Sequence, residues 1–78
     1  MKANLELVEN IAKNLQDENW QEAYDDMGLI DHPAPLLRKI IQCFVVNDGE
    51  AYPDSAEDER WLKAIAPTIA GEYACGNI

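Results

Sequence analysis

Residues that carry out nucleophilic catalysis or bind transition metals are scarce in this 78-residue chain. It has one serine (Ser55), one threonine (Thr68), one histidine (His32) and two cysteines that lie far apart. A catalytic nucleophile needs a neighbouring base, and a zinc site needs closely spaced cysteine or histidine ligands. A thiol–imidazole pair of His32 with Cys43 or Cys75 is the remaining arrangement, but a histidine before a proline is more typical of a turn. The sequence therefore predicts a protein that is not an enzyme and has no cofactor or metal.

Basic residues are also few, with six Lys and Arg against fifteen Asp and Glu and a net charge of −9. The bases are scattered, there is no glycine-rich phosphate loop, and the overall charge opposes direct binding of nucleic acid. No apolar run approaches the roughly 18 residues of a membrane span, and Glu6 and Glu9 interrupt any N-terminal signal core. Two isolated cysteines are typical of free thiols in a reducing compartment. We expect a cytoplasmic protein that binds neither nucleic acid nor a membrane.

The apolar residues that are present recur mostly at helical spacing. The chain is 47% hydrophobic, which is typical of a globular protein, and its length suits a single domain with one core. Steps of three and four residues between apolar positions indicate amphipathic helices. The sequence predicts an all-α fold, a small single-domain bundle of four to five short helices over residues 1–78.

The first two predicted helices are defined by their caps. Helix one covers residues 4–16 with Asn4 as its N-cap. Helix two covers residues 19–27, where Asn19 and Glu22 approximate a capping box. Gly28 follows at the position where a left-handed C-terminal cap belongs.

Residues 33–46 hold the densest apolar stretch and are predicted to form a central helix around which the other helices pack, with Asp31 or His32 as its cap. Cys43 lies within this stretch and is interpreted as a core residue. A competing interpretation makes Val45 and Val46 a short strand, with residues 47–49 as a hairpin turn.

A further helix is predicted to begin after Ser55, which has Asp58 at the third following position. Pro67 removes a backbone donor, so we expect this helix to kink there, or to end at Ala66 and restart.

Most of the acidic residues lie in two segments that contain no base, residues 17–31 and residues 48–59. Acids near helix N-termini are favoured by the helix dipole, which explains part of this pattern. Asp25 and Asp26 lie near the C-terminal end of helix two, where the dipole disfavours them, and so suggest a binding role. The order of a calcium-binding loop is not met in residues 48–59, which favours a solvated acidic face over a metal site. The candidate partner-binding residues are Asp17, Glu18, Glu22, Asp25, Asp26, Asp48, Glu50, Asp54, Glu57 and Asp58.

A concentrated negative surface attracts basic proteins and accelerates their association. The partner is therefore expected to be a basic protein, such as a nuclease or a nucleic-acid-binding complex. Mimicry of DNA is a sharper form of this hypothesis, and it requires both acidic segments to act together. An alternative is a small helical oligomerisation or regulatory module, in which Trp20, Tyr24 and Trp61 form a self-association surface.

In size and acidity the chain is similar to phage-encoded inhibitors of host defence, such as anti-CRISPR and anti-restriction proteins, and to immunity proteins of nuclease bacteriocins. Residues Tyr52, Pro53, Asp54 and Ser55 resemble part of the Tyr-Tyr-Pro-containing recognition region of colicin immunity proteins, without its paired tyrosines. The similarity implies an inhibitor or immunity factor. No motif assigns the chain to one family.

Overall fold

The protein is mostly helical and also contains a two-stranded antiparallel hairpin. A computed structural model describes residues 5–78. In order, its elements are α1 (Leu5–Gln16), α2 (Trp20–Met27), α3 (Pro35–Gln42), β1 (Phe44–Asn47), β2 (Glu50–Pro53), α4 (Ala56–Ile65), a 3-10 helix (Ala66–Thr68) and α5 (Ile69–Ala74). The predicted helical character is confirmed, but the prediction of an all-α fold is wrong because of the hairpin. Within the described residues, no helix combines the length and the apolar character needed to cross a bilayer.

Helix α1 is the element around which the core is built. Its residues Val8, Ile11 and Leu15 are at most 1% exposed. It packs against α2, α4, the 3-10 helix and α5, whereas α3 packs mainly against α2 and β1. The central position predicted for residues 33–46 is therefore wrong. The core is completed by residues from the surrounding elements, namely Ala23, Met27, Ile30, Leu37, Ile40, Leu62, Ala66 and Ile69.

The predicted helix over residues 33–46 is shorter than expected, since α3 ends at Gln42 and the chain continues as β1. The competing interpretation of a strand and hairpin is the correct one. Asp48 and Gly49 have φ angles of +54° and +80°. Positive φ at both central residues is what a type I′ two-residue hairpin turn requires, and this turn matches the twist of the flanking strands. The strands pair with Asn47 opposite Glu50 and Val46 opposite Ala51.

Helix N-termini agree only in part with the predicted caps. The hydroxyl of Ser55 accepts a hydrogen bond from the amide of Asp58 at 3.1 Å, so the predicted cap of α4 is confirmed. Asn19 precedes α2 as expected, but its side chain makes no capping hydrogen bond, and the predicted capping box is wrong. The cap assigned to Asn4 lies outside the described residues.

Two further predictions about helix ends are wrong. Ala34, and not Asp31 or His32, occupies the N-cap position of α3, where no side-chain hydrogen bond is made. Gly28 has a φ of −67° and continues the right-handed turn, with its amide bonded to the carbonyl of Tyr24. Its conformation is therefore not the left-handed one predicted for a C-terminal cap.

Pro67 interrupts the last helical segment as expected. Helix α4 ends at Ile65, the 3-10 helix follows, and α5 begins at Ile69. The missing amide of a proline is tolerated in the first turn of a helix, where it has no intrahelical acceptor. Ala66 and Ile69, on either side of Pro67, are both buried in the core.

Candidate functional site

The charged groups of residues 5–78 lie at the surface, since no polar or charged residue in that part of the chain is buried. That part of the chain forms no pocket, and it holds no group of three His, Cys, Asp or Glu side chains suited to a metal ion. The candidate site is therefore a surface formed by the two acidic segments.

The first acidic segment runs from the end of α1 through α2. Asp17 and Glu18 form the turn after α1, where the amide of Asp17 donates to the carbonyl of Lys13. Glu22, Asp25 and Asp26 lie on α2. Of these five carboxylates, two have internal partners that the local sequence pattern does not indicate.

Glu18 forms a salt bridge with Lys63 of α4, with an Nζ–Oε2 distance of 2.8 Å. The hydrogen bond that Lys63 donates to Glu18, followed by the charge of Glu18, raises the pKa of Lys63 above its ordinary value. Both side chains are about half exposed, so the pair is screened by solvent and adds little stability. Its main consequence is that Glu18 is partly neutralised and is less available to a partner.

Asp26 is half-buried and accepts a hydrogen bond from Nδ2 of Asn14 on α1 at 3.2 Å. This contact links α1 to α2, which gives Asp26 a structural role. Asp25 is exposed and accepts a hydrogen bond from Nε2 of Gln21 at 3.0 Å. The two neighbouring acids that appear equivalent in the sequence therefore differ, and only Asp25 faces solvent freely.

Gln21 connects the two acidic segments. Its Nε2 donates to Asp25, and its Oε1 accepts a hydrogen bond from the amide of Ala51 in β2 at 2.7 Å. One side chain thus spans from a carboxylate of the first segment to the strand that carries Glu50 of the second. Sequence analysis did not identify Gln21, because its partner in β2 lies 30 residues away along the chain.

The second acidic segment follows the hairpin into α4. Asp48 lies in the turn, Glu50 on β2 and Asp54 just after β2, and all three are exposed. Glu57 is exposed in the first turn of α4, where the helix dipole favours a carboxylate. Asp58 in the same turn is half-buried.

Asp58 lies beside the half-buried thiol of Cys43. Burial is the largest cause of a raised pKa at Cys43, and the charge and hydrogen bonding of Asp58 raise it further. The thiol also donates to the carbonyl of Lys39 at 3.5 Å. Cys43 packs against the core without being fully buried, while Cys75 is exposed. Asp58, like Asp26, therefore interacts with other groups of the fold and is less available to a partner.

Seven of the ten candidate acids are exposed and make no ion pair within residues 5–78, and these seven form what we call the acidic surface. Its members come from both predicted segments. They are Asp17, Glu22, Asp25, Asp48, Glu50, Asp54 and Glu57.

Two apolar side chains of the hairpin are also exposed, Val46 at 52% and Tyr52 at 40%. Val46 lies on β1 and Tyr52 on β2, and the register of the strands places their side chains on opposite faces of the hairpin. The predicted helix over residues 33–46 concealed the exposure of Val46, whereas Tyr52 is identified only within the segment that resembles colicin immunity proteins. The strand interpretation, with period-two alternation, is the signal that could have found them.

The aromatic residues proposed for self-association mostly make contacts within the chain. The rings of Trp20 and Tyr24 lie 6.2 Å and 5.6 Å from that of Phe44, which attaches α2 to the hairpin. Nζ of Lys39 lies 5.1 Å from the ring centre of Trp61, at a distance typical of a cation–π contact. All four of these aromatic rings are half-buried.

Comparison with known proteins does not assign the chain to a family. No family model matches the chain, no curated protein matches it in sequence, and no solved structure matches its fold.

Proposed function

We propose that the protein is a non-enzymatic acidic binding protein that blocks a basic, nucleic-acid-handling protein partner. The class of inhibitor is that of a phage anti-CRISPR or anti-restriction protein, or of an immunity protein. The observation that carries the proposal is the acidic surface, whose carboxylates make no ion pair within residues 5–78 and whose two parts are joined through Gln21.

The charge distribution supports a basic partner. A net charge of −9 concentrated in two base-free segments creates a negative potential that raises the rate of encounter with positive surfaces. Proteins that process nucleic acid carry such positive surfaces because they must neutralise phosphates. A partner that needs this surface for its substrate is inhibited when the acidic protein occupies it.

The junction at Gln21 also bears on mimicry of DNA. Acids four residues apart on one helix lie about 6 Å apart along its axis, while each DNA strand carries a charge about every 3.4 Å. The acids of a single helix are therefore too widely spaced to reproduce the phosphate spacing of a DNA strand. Placing Asp25 of α2 next to the strand that bears Glu50 adds the charge of the hairpin to that of the helix.

The proposal includes a cytoplasmic location, a protein partner, and no direct contact with nucleic acid or a membrane. It gives the chain no catalytic role. The nucleic-acid-processing activity of the partner is lost because its basic site is occupied.

A small helical oligomerisation or regulatory module is the second candidate. The observation that favours it is the exposure of large apolar side chains, with Leu29 69% exposed in addition to Val46 and Tyr52. Gel filtration with light scattering distinguishes the two candidates. A monomer supports the inhibitor, and a stable homo-oligomer supports the module.

The test of the first candidate begins with capture of the partner on the immobilised chain and its purification. Association is then measured by stopped-flow fluorescence at increasing salt for the double variant Asp25→Asn, Glu50→Gln. Glu6→Gln with Glu9→Gln is the matched control, because it removes the same charge from exposed positions of α1 outside the acidic surface. Exposed charges are screened beyond about 8–10 Å at physiological ionic strength.

We expect the acidic-surface variant to associate roughly tenfold more slowly than the wild type at low salt, with dissociation little changed. The α1 control should associate nearly as fast as the wild type. Stoichiometric inhibition of the partner's nucleic-acid processing is also expected. Equal association rates and salt dependence for the two double variants would show that the acidic surface only increases solubility.

A further inference from the structure

The two outer edges of the β1–β2 hairpin differ in their free hydrogen-bonding groups. The amide of Asp54 donates to the carbonyl of Cys43 at 2.8 Å, so these residues form a hydrogen-bonded pair. Pairs in an antiparallel ladder alternate between hydrogen-bonded and non-hydrogen-bonded. Val46 and Ala51 are therefore a non-hydrogen-bonded pair. Both residues direct their amides and carbonyls away from the hairpin.

The outer edge of β2 has no free donor. The outward amide of Ala51 is bonded to Oε1 of Gln21. Pro53, the other outward-facing residue of β2, has no N–H group, and proline is found at edge positions of this kind. Helix α2 packs beside this strand. The β2 edge is thereby protected against pairing with another strand.

The outer edge of β1 lacks these protections. Its sequence, Phe-Val-Val-Asn, contains no proline and no charged residue, which are the usual means of protecting an edge. Val46 is half exposed, and its amide and carbonyl make no hydrogen bond within residues 5–78. The shortness of the strand limits non-specific pairing but leaves room for a short added strand.

We propose that the outer edge of β1 receives an extended, basic segment of the partner protein as a third strand. The inference rests on the proposed function and specifies the part of the surface at which the partner binds. Main-chain hydrogen bonds to Val46 supply affinity, as in other cases where a peptide extends a sheet. The exposed side chain of Val46 supplies apolar contact.

Charge selects a basic segment over a second copy of this chain. Residues 44–54 contain Asp48, Glu50 and Asp54 and no base. β1 separates a strand added at its outer edge from Glu50 and Asp54, so lysine or arginine side chains of that strand are attracted by the negative potential of the hairpin and not by direct pairing. A second copy would instead bring the same acids together on two chains that each carry a net charge of −9, which opposes association.

The test uses a synthetic decapeptide of alternating lysine and valine as the probe, with a peptide of the same composition except for two central prolines as its control. Binding is followed by nuclear magnetic resonance of the ¹⁵N-labelled chain. Val46→Pro removes the outward amide and leaves the ladder hydrogen bonds intact, because that amide does not take part in them. Val46→Thr keeps the amide and the β-branched shape and is the matched control.

We expect Val46→Pro to bind the alternating peptide at least tenfold more weakly than Val46→Thr, and the proline-containing peptide to bind weakly to both. In the wild-type chain, the Val46 amide should exchange with solvent more slowly once the alternating peptide is bound. This second measurement does not depend on the folding of the proline variant.

Equal binding by both Val46 variants, or unchanged exchange at Val46, would overturn the inference. So would a homodimer of the free wild-type chain that Val46→Pro abolishes, because the edge would then be occupied by a second copy. The acidic-surface variant separates the two proposals. If Asp25→Asn, Glu50→Gln slows association with the natural partner while Val46→Pro does not, the proposed function holds and the strand addition fails.

Discussion

Helix α1 and the β1–β2 hairpin both contain branched aliphatic residues, but the fold places these residues in opposite environments. Val8, Ile11 and Leu15 of α1 are at most 1% exposed. Val46 of the hairpin is 52% exposed and Tyr52 is 40% exposed. The difference follows from the neighbours, since α1 is surrounded by α2, α4, the 3-10 helix and α5, whereas no other strand of residues 5–78 lies beside the outer edge of β1.

This comparison separates the part of the molecule that supplies stability from the part available for binding. Burial of aliphatic side chains is the dominant favourable term in folding, so the three fully buried residues of α1 make it a major contributor to stability. The hairpin combines exposed apolar side chains, an open backbone edge and carboxylates. The predictions below test this division, starting with the largest effect.

Leu15→Ala should lower the free energy of unfolding by about 2–5 kcal/mol, because it removes buried methyl groups and leaves a cavity in the core. Val46→Ala is the matched control and should change it by less than about 0.5 kcal/mol, since that side chain is half exposed. Urea denaturation followed by circular dichroism measures both. Similar losses for the two variants would mean that the hairpin is as important for stability as α1.

Gly49→Ala should destabilise the protein by about 1–2 kcal/mol, because Gly49 has a φ of +80° that L-residues adopt only with strain. Gly71→Ala is the control. Gly71 lies in α5, and an added Cβ would meet no atom within 4 Å. Alanine there should be neutral or stabilising by up to about 1 kcal/mol, because it favours the helix. A neutral Gly49→Ala would contradict the type I′ turn.

The two thiols should differ in reactivity with a disulfide reagent in the native state. Cys75 is exposed and should react fast, while burial and the neighbouring Asp58 raise the pKa of Cys43 and keep its reactive thiolate scarce. Asp58→Asn should accelerate Cys43 several-fold. Glu57→Gln, the control, removes a charge from the same helix turn and should leave the rate nearly unchanged. Two equally fast thiols in the wild type would show that packing against the core does not shield Cys43.

The smallest expected effect concerns the ion pair of Glu18 with Lys63. Because the pKa of Lys63 is raised in the folded state, the pair stabilises the protein while the lysine is protonated. This contribution is complete below the ordinary pKa of lysine and is lost as the pH rises through the raised value. Titration of the Lys63 side chain by nuclear magnetic resonance should show the raised pKa.

Glu18→Gln should return the Lys63 pKa toward its ordinary value. Glu59→Gln should lower it less, since Glu59 acts through charge alone and Glu18 also accepts the hydrogen bond. An unchanged titration in Glu18→Gln would mean that this contact is not formed in solution. The hairpin should be unaffected in either variant, because the pair joins the turn after α1 to α4.

Helices that have regular periodicity and clear end signals could be predicted from the sequence alone. The predicted helices over residues 4–16 and 19–27 agree with α1 and α2 to within a residue, and the cap at Ser55 and the interruption at Pro67 are confirmed. These features depend on residues close together in the chain. The sequence also located the acids that make up the acidic surface.

The end of α3, and which acids lack partners from other elements, depend on tertiary contacts. The apolar run ending at Val46 is predicted to be helical with a strand as the competing interpretation, and the strand forms because of pairing with β2 and packing of Phe44 on α2. The partners that occupy Glu18 and Asp26 come from other elements, Lys63 of α4 and Asn14 of α1. Sequence periodicity records only near neighbours, whereas these contacts form when distant segments pack together, and that packing determines which surface is available to a partner.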